Sequence, residues 1–151
     1  MNRDELLAGR RIAVLSTEDP DGLPYLTAIW FAYEDGAFLV PTSATSRKGR
    51  NARERPRGAI LVDSRGPAFG GVAASGRIEL VEGEAALEVN ARIHRRYVTD
   101  AGMADPDLGA SLTAGDDLTL RLVPERWQEW DLEPVFGTKL ADPRFAEPLA
   151  P

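Results

Sequence analysis

The chain has no cysteine among its 151 residues, which removes disulfides, thiolate metal sites and cysteine nucleophiles together. It has one histidine, His94, so a multi-histidine metal centre cannot be built and a Ser-His-Asp triad has a single base to draw on. No run approaches the roughly 18 apolar residues that span a bilayer as a helix. The opening Met1-Asn2-Arg3-Asp4-Glu5 is too acidic and polar for a signal peptide. These absences lead to the expectation of a soluble, cytoplasmic protein that binds no metal and no membrane. Lysine is nearly missing as well: of 18 basic residues only Lys48 and Lys139 are lysines, so a lysine in a basic loop stands out.

What is present suits one globular domain with its own core. Hydrophobic residues make up 43% and charged residues 28%, and a chain of this length buries roughly 70% of its unfolded surface. The net charge of −6 is unevenly spread. Residues 46–57 carry Arg47, Lys48, Arg50, Arg53, Arg55 and Arg57 against Glu54 alone, a local charge of +5 that leaves −11 for the rest. A positive island in an acidic protein marks an anion site, while the acidic remainder would repel a long polyanion, which argues against nucleic acid.

Apolar and turn patterns divide the chain into short strands. Strands are expected over 11–17, 24–33, 37–40, 57–63, 71–81 and 117–123, the last continuing toward Trp130. Asp19-Pro20-Asp21-Gly22, Glu34-Asp35-Gly36 and Gly66-Pro67 supply the breaks. Residues 2–9 read as a short N-terminal helix. Residues 84–98 read as a long one, with Ala86, Val89, Ile93 and Tyr97 at helical spacing. Residues 103–114 read as loop. Short connections favour an antiparallel, closed barrel of six strands. Residues 1–130 form that domain; 131–151 form a proline-rich tail, unsuited to a regular helix, whose 132–140 segment packs on the barrel or a partner subunit.

The segment Thr42-Ser43-Ala44-Thr45-Ser46-Arg47-Lys48 sets four hydroxyls before an Arg-Lys pair. Ser46 is a suitable N-cap for about two helical turns that Pro56 stops. Free N–H groups at a helix start favour an anion, an arginine can grip a phosphate through two hydrogen bonds, and a lysine adds a point charge. The competing reading is an ordinary solvated basic turn.

Read with the strand Thr27-Ala28-Ile29-Trp30 before it, this block resembles the pyridoxamine 5'-phosphate oxidase-like split-barrel superfamily. The likeness runs over about residues 8–130. It rests on Ala13-Val14-Leu15-Ser16-Thr17 through Asp21-Gly22-Leu23-Pro24, the Trp30-Phe31 strand end, and the stretch from Thr42 to Arg57 with Arg50-Asn51 and Arg55-Pro56-Arg57. The resemblance implies a mainly β, six-stranded antiparallel split β-barrel with one long and one short helix, assembled as a homodimer. It implies that Thr27, Ala28, Ile29 and Trp30 lie along a flavin-type ring, and that Thr42, Ser43, Ser46, Arg47, Lys48 and Asn51 surround its phosphate.

Two departures narrow the activity. The tail Glu133-Pro134-Val135-Phe136-Gly137-Thr138-Lys139 lacks the family's Arg-x-His-x-Arg-like clamp, which argues against vitamin B6 oxidation. Gly70-Gly71 stands where those enzymes place a glutamine near the flavin, which weakens the case for FMN. The arginine pattern is more similar to the deazaflavin branch, implying a coenzyme F420-dependent reductase acting on an electron-poor double bond of a small organic substrate. The alternatives are an FMN-dependent flavin reductase or oxidase, and a non-catalytic flavin, deazaflavin or haem carrier. No catalytic side chain is singled out. His94 reads as a surface or capping residue, Trp127 and Trp130 as interface packing, Glu79, Glu82 and Glu84 as a solvated edge, and Asp105, Asp107, Asp116 and Asp117 as polar loop.

Overall fold

Alternating side chains set the sheet. In β1 (Ala13–Glu18), Ala13, Leu15 and Thr17 are buried, while Val14 and Ser16 are only half so. β2 (Pro24–Ile29) pairs with it so that Thr27 lies opposite Leu15 and Ile29 opposite Ala13, on the same inner face. The computed structural model describes residues 2–64, 66 and 70–150; Arg65 and Pro67, beside Gly66 in the expected turn, lie outside them. The remaining strands are β3 (Ala32–Glu34), β4 (Ala37–Ser43), β5 (Arg57–Asp63), β6 (Gly70–Val81) and β7 (Asp117–Asp131). Their order is β2-β1-β5-β6-β7-β4-β3, every neighbouring pair antiparallel.

The sheet curls around one core. Leu15, Ile29, Phe38, Ile60, Ile78 and Leu120, from six different strands, meet in a single buried cluster, and Leu6 and Leu7 of α1 (Arg3–Ala8) join it. Two backbone features shape the curl. Asp35 (φ 49°) and Gly36 (φ 74°) are both left-handed, the conformation of a two-residue turn that suits the twist of β3 and β4. Between β6 and β7 the register shifts at Ser75/Gly76, where Gly76 faces Pro124. A Cβ on Gly76 would lie 2.0 Å from the Val123 carbonyl oxygen, and a proline is tolerated there because the bulge interrupts the ladder.

The mainly β, antiparallel split-barrel class follows the sequence expectation; the details differ in four places. Among the described residues there are seven strands rather than six, because 24–33 breaks at Trp30-Phe31. The Tyr97 hydroxyl accepts from the Phe31 N–H (3.4 Å) and lies 3.1 Å from the Phe31 carbonyl oxygen, so these groups are held by a side chain instead of a ladder. The curled sheet is a half-barrel with β2 and β3 at its two edges, not closed by hydrogen bonds between them. The expected loop, 103–114, takes in the end of α4 (Asp100–Ala104) and the whole of α5 (Leu108–Leu112), the first capped by the Thr99 hydroxyl accepting from the Gly102 N–H. The tail forms α6 (Glu133–Leu140), since Pro134 sits in its first turn, where a missing N–H costs nothing. Val135 and Phe136 on α6 are exposed.

α3 (Gly83–Tyr97) lies against β4 and β7 and fixes their ends. Asn90, fully buried, donates to Asp117 Oδ1 at 2.8 Å and to the carbonyls of Thr42 and Leu118 at 3.3 and 3.2 Å. Its Oδ1 accepts from the Thr119 hydroxyl at 2.7 Å. Among the described residues no helix is long and apolar enough to cross a membrane, and no group of three or more His, Asp or Glu is arranged to hold a metal.

Candidate functional site

The basic segment begins where β4 runs out. The Ser46 hydroxyl donates to the Ser43 carbonyl (2.8 Å) and accepts from the Gly49 N–H (3.1 Å), starting α2 (Arg47–Glu54). With its own hydrogen committed, Ser46 Oγ receives the Thr42 hydroxyl at 2.8 Å. Gly49 is pressed onto β4: a Cβ there would stand 2.6 Å from the Ser43 carbonyl oxygen. The helix is thereby seated tightly, and its first-turn N–H groups at Arg47 and Lys48 find no acceptor among the described residues.

Neighbouring side chains of α2 go opposite ways. Arg47 turns toward the β1–β2 turn, where its Nε donates to Asp19 Oδ1 at 2.9 Å and its Nη2 to Asp19 Oδ2, while its guanidinium lies 4.3 Å from the Tyr25 ring centroid. Asn51, buried, donates to Asp19 Oδ1 (2.8 Å) and to the Thr17 hydroxyl (3.3 Å), and accepts from Arg55. These residues lie around a 580 Å³ cavity with Arg50, Arg53 and Arg55. Lys48 turns the other way. It is half-buried, forms no hydrogen bond or ion pair among the described residues, and burial pushes its ammonium below the usual lysine range.

Lys48 opens on a 290 Å³ cavity whose other walls include Ala28, Ile29, Trp30, Pro41 and His94. β2 is an edge strand here, paired only with β1, so alternate N–H and C=O groups face outward. Trp30 stacks on Tyr97 (centroids 5.1 Å apart, planes at 5°) and meets the edge of His94 at 6.1 Å. On the Lys48 side of α2 this 290 Å³ cavity is the first of two; the second, of 220 Å³, shares Pro41, His94 and Leu112 with it and continues along Thr42, Ser43 and Asp117. Thr27 lies on the inner face of β2 with a buried hydroxyl that has no partner among the described residues.

The structure therefore brings Ala28, Ile29, Trp30 and Lys48 to one cavity, with Thr42 and Ser43 on its extension. It sets Arg47 and Asn51 on the far side of α2, around Asp19. Sequence reasoning missed two residues. His94, read as a surface or capping residue, is 9% exposed and lines both cavities, because the face it shares with Asn90 and Ile93 is covered by β4 and β7. Asp19, read as part of a turn, is the buried anchor of α2. Gly71 is covered by the Trp130 ring, where a Cβ would lie 2.4 Å from Cζ2, so only a glycine leaves that ring its place.

Asp19 carries a testable pH dependence. The Arg47 hydrogen bonds, then that of Asn51, hold its carboxyl below the ordinary range. A carboxylate lowered in the native state contributes stability that is present above its unfolded pKa, about 3.9, and lost as pH falls through the native value. Asp19→Asn is expected to melt lower than wild type at pH 7, with the gap closing as the pH falls below the ordinary carboxylate range and through the native value. Melting curves that stay parallel across that range would show that the pair contributes nothing of this kind.

Residues 2–131 match the family described as pyridoxamine 5'-phosphate oxidase. No curated protein matches the chain. Among solved structures, the conserved hypothetical protein Rv2991 from Mycobacterium tuberculosis is 31% identical with a TM-score of 0.69, the alignment covering 87% of this chain and 85% of that one. A protein named F420 Reductase is 22% identical (TM-score 0.65; 85% of this chain, 97% of the other). The haem storage protein HutZ from Vibrio cholerae is 20% identical (TM-score 0.65; 85% and 90%). The last two likenesses concern the fold.

Proposed function

The chain belongs to the pyridoxamine 5'-phosphate oxidase family, and from that premise we propose that it is an oxidoreductase that holds coenzyme F420 against the end of β2 and reduces an electron-poor double bond of a small organic substrate. One observation carries the reading. Lys48, a half-buried cation with no counter-charge among the described residues, faces the same cavity as the exposed edge of Ala28–Trp30, beside first-turn N–H groups of α2 that find no acceptor there. A buried charge without a partner is costly, so its place beside a helix start is explained by an anion that arrives with a ligand. A flat ring carrying a phosphate fits that pair of surfaces, with Lys48 holding the anion and β2 offering backbone groups to the ring edge. The bound cofactor supplies the hydride; the protein orients and shields it. The choice of deazaflavin over FMN is supported by the Arg50-Asn51 and Arg55-Pro56-Arg57 pattern and by Gly71, which is committed to Trp130.

Titration of purified protein with coenzyme F420 and with FMN, side by side, tests this. Tight binding of F420 and turnover of an activated enone is the expected result. Preference for FMN would replace the cofactor and keep the site. A Soret band on purification would favour a haem carrier, which the sole histidine in the cavity gives a means of ligation.

Assembly bears on the same site. The first cavity is smaller than the usual range for ligand pockets, about 300–1,000 Å³. Ile12 lines it with an exposed apolar side chain, and Leu26 on the edge strand β2 and Leu23 just before that strand are both more than 60% exposed. We expect a two-fold symmetric homodimer that covers this edge and completes the site, burying well over ~1,000 Å². Light scattering at micromolar concentration should give twice the 16.4 kDa chain mass. A monomer would remove the dimer and leave the open cavity unexplained.

A further inference from the structure

His94 is the one polar side chain that lines both cavities and is not absorbed by the cap of α2 or by the Asn90 network. It is nine-tenths buried, and its Nδ1 is sealed from solvent with no hydrogen-bond partner among the described residues. Nε2 has no partner among the described residues either, and only Nδ1 is sealed, so Nε2 is the nitrogen left to face the cavities. Charged groups stand on two sides: Lys48 across the first cavity, and Asp116 and Asp117 across the second. Burial pushes the imidazole below its usual range, and the charge of Asp117 offsets this only in part. A sealed nitrogen carrying a proton with no acceptor would be a buried, unsatisfied N–H. The neutral tautomer with its proton on Nε2 avoids that and aims a donor into the space between the cavities.

We propose that His94 is the hydrogen-bond donor that fixes the bound molecule where the two cavities meet, through Nε2–H to a carbonyl oxygen of that molecule. The inference rests on the reading of the first cavity as a flavin-type ring site. The carbonyl belongs either to the ring itself or to a substrate in the second cavity, and the chemistry of the contact is the same. The Trp30 ring meets the imidazole in a T-shaped contact, and Leu112 lines the same two cavities.

Because the chain has a single histidine, imidazole ¹⁵N signals report on His94 alone. Spectra of the wild-type protein are recorded free, with coenzyme F420, with FMN, and with each cofactor plus 2-cyclohexen-1-one. The free protein is expected to show the neutral tautomer protonated at Nε2. If the ring carbonyl is the acceptor, the Nε2 signal moves with cofactor alone; if the substrate carbonyl is, it moves only when the enone is added. His94→Phe, which keeps a ring against Trp30, is expected to weaken the corresponding ligand roughly threefold to tenfold, the usual worth of a neutral hydrogen bond. His94→Gln, which keeps a donor, should recover part of the loss. Saturation by cofactor and enone with unmoved imidazole signals overturns the proposal while leaving the ring site standing, as does His94→Phe binding both like wild type. Failure of the wild type to bind either cofactor overturns both.

Discussion

Replacing Lys48 by alanine is expected to weaken cofactor binding roughly tenfold to a hundredfold, with a melting temperature no lower than that of wild type. The two halves of this expectation have one cause. In the free protein Lys48 is half-buried without a counter-charge, so its ammonium is a cost to the fold. In the complex the same ammonium meets a phosphate, and a charge-assisted hydrogen bond is typically worth about 1.5–3 kcal/mol. Removing it takes away the gain and the cost together, the pattern of a functional residue maintained against stability. Arg47→Ala should behave in reverse. Its guanidinium serves Asp19, so its loss leaves a buried carboxylate short of its partner and lowers the melting temperature first. Arg77→Ala, a β6 surface residue paired with Glu79, serves as the control and should leave affinity alone.

Lys48 also fixes the alkaline behaviour of binding. Its free-protein pKa lies below the usual lysine range, and a bound phosphate favours the charged form and raises it. Affinity should therefore be level below the free-protein pKa and fall as pH rises through it. In Lys48→Ala that fall should be absent. Equal affinities for wild type and Lys48→Ala at neutral pH would remove the phosphate site, and with it the main support for the function.

Local chemistry made much of this legible before any coordinates. Ser46 as cap, α2 from Arg47 to Glu54, the Asp35-Gly36 turn and the long helix through Tyr97 are each set by a few neighbouring residues. The direction in which Arg47 and Lys48 diverge was not legible. It depends on Asp19, 28 residues away, and on Gly49 pressing α2 onto β4. His94 escaped for a related reason. A helical pattern shows which face is apolar, and the polar residues flanking that face are buried or exposed according to what the strands place over them. Asn90 and His94 both sit on that margin and both are buried. In the tail the number of prolines argues against a helix, but their position decides, and Pro134 falls where a helix accepts it.

The largest loss of stability is expected from a residue no functional argument touches. Phe38 is fully buried on β4, opposite Tyr33 of β3 and Leu122 of β7. Its ring lies 4.9 Å from Tyr33, 5.7 Å from Trp127 and 5.9 Å from Phe31, so it joins both neighbouring strands to the strand break before them. Phe38→Ala deletes the middle of that cluster, and such truncations cost about 3–5 kcal/mol. Against a total stability of ~5–15 kcal/mol this is a large share, and at about 2–4 °C per kcal/mol for a domain of this size it lowers the melting temperature by roughly 6–20 °C. Phe145→Ala is the matched control. The same side chain is removed from the tail, where Phe145 is 65% exposed, and the change should stay within about 0.5 kcal/mol. The core change reaches the site as well. Phe31 follows Trp30 directly, and the Phe31 backbone is held by Tyr97, whose ring carries the Trp30 stack. A Phe31 that relaxes into the space left by Phe38 pulls on that stack, so cofactor affinity should fall in Phe38→Ala even at temperatures where the protein remains folded. Unchanged affinity at such a temperature, beside a lowered melt, would show that the stack is held by α3 alone and that the core and the site are mechanically separate.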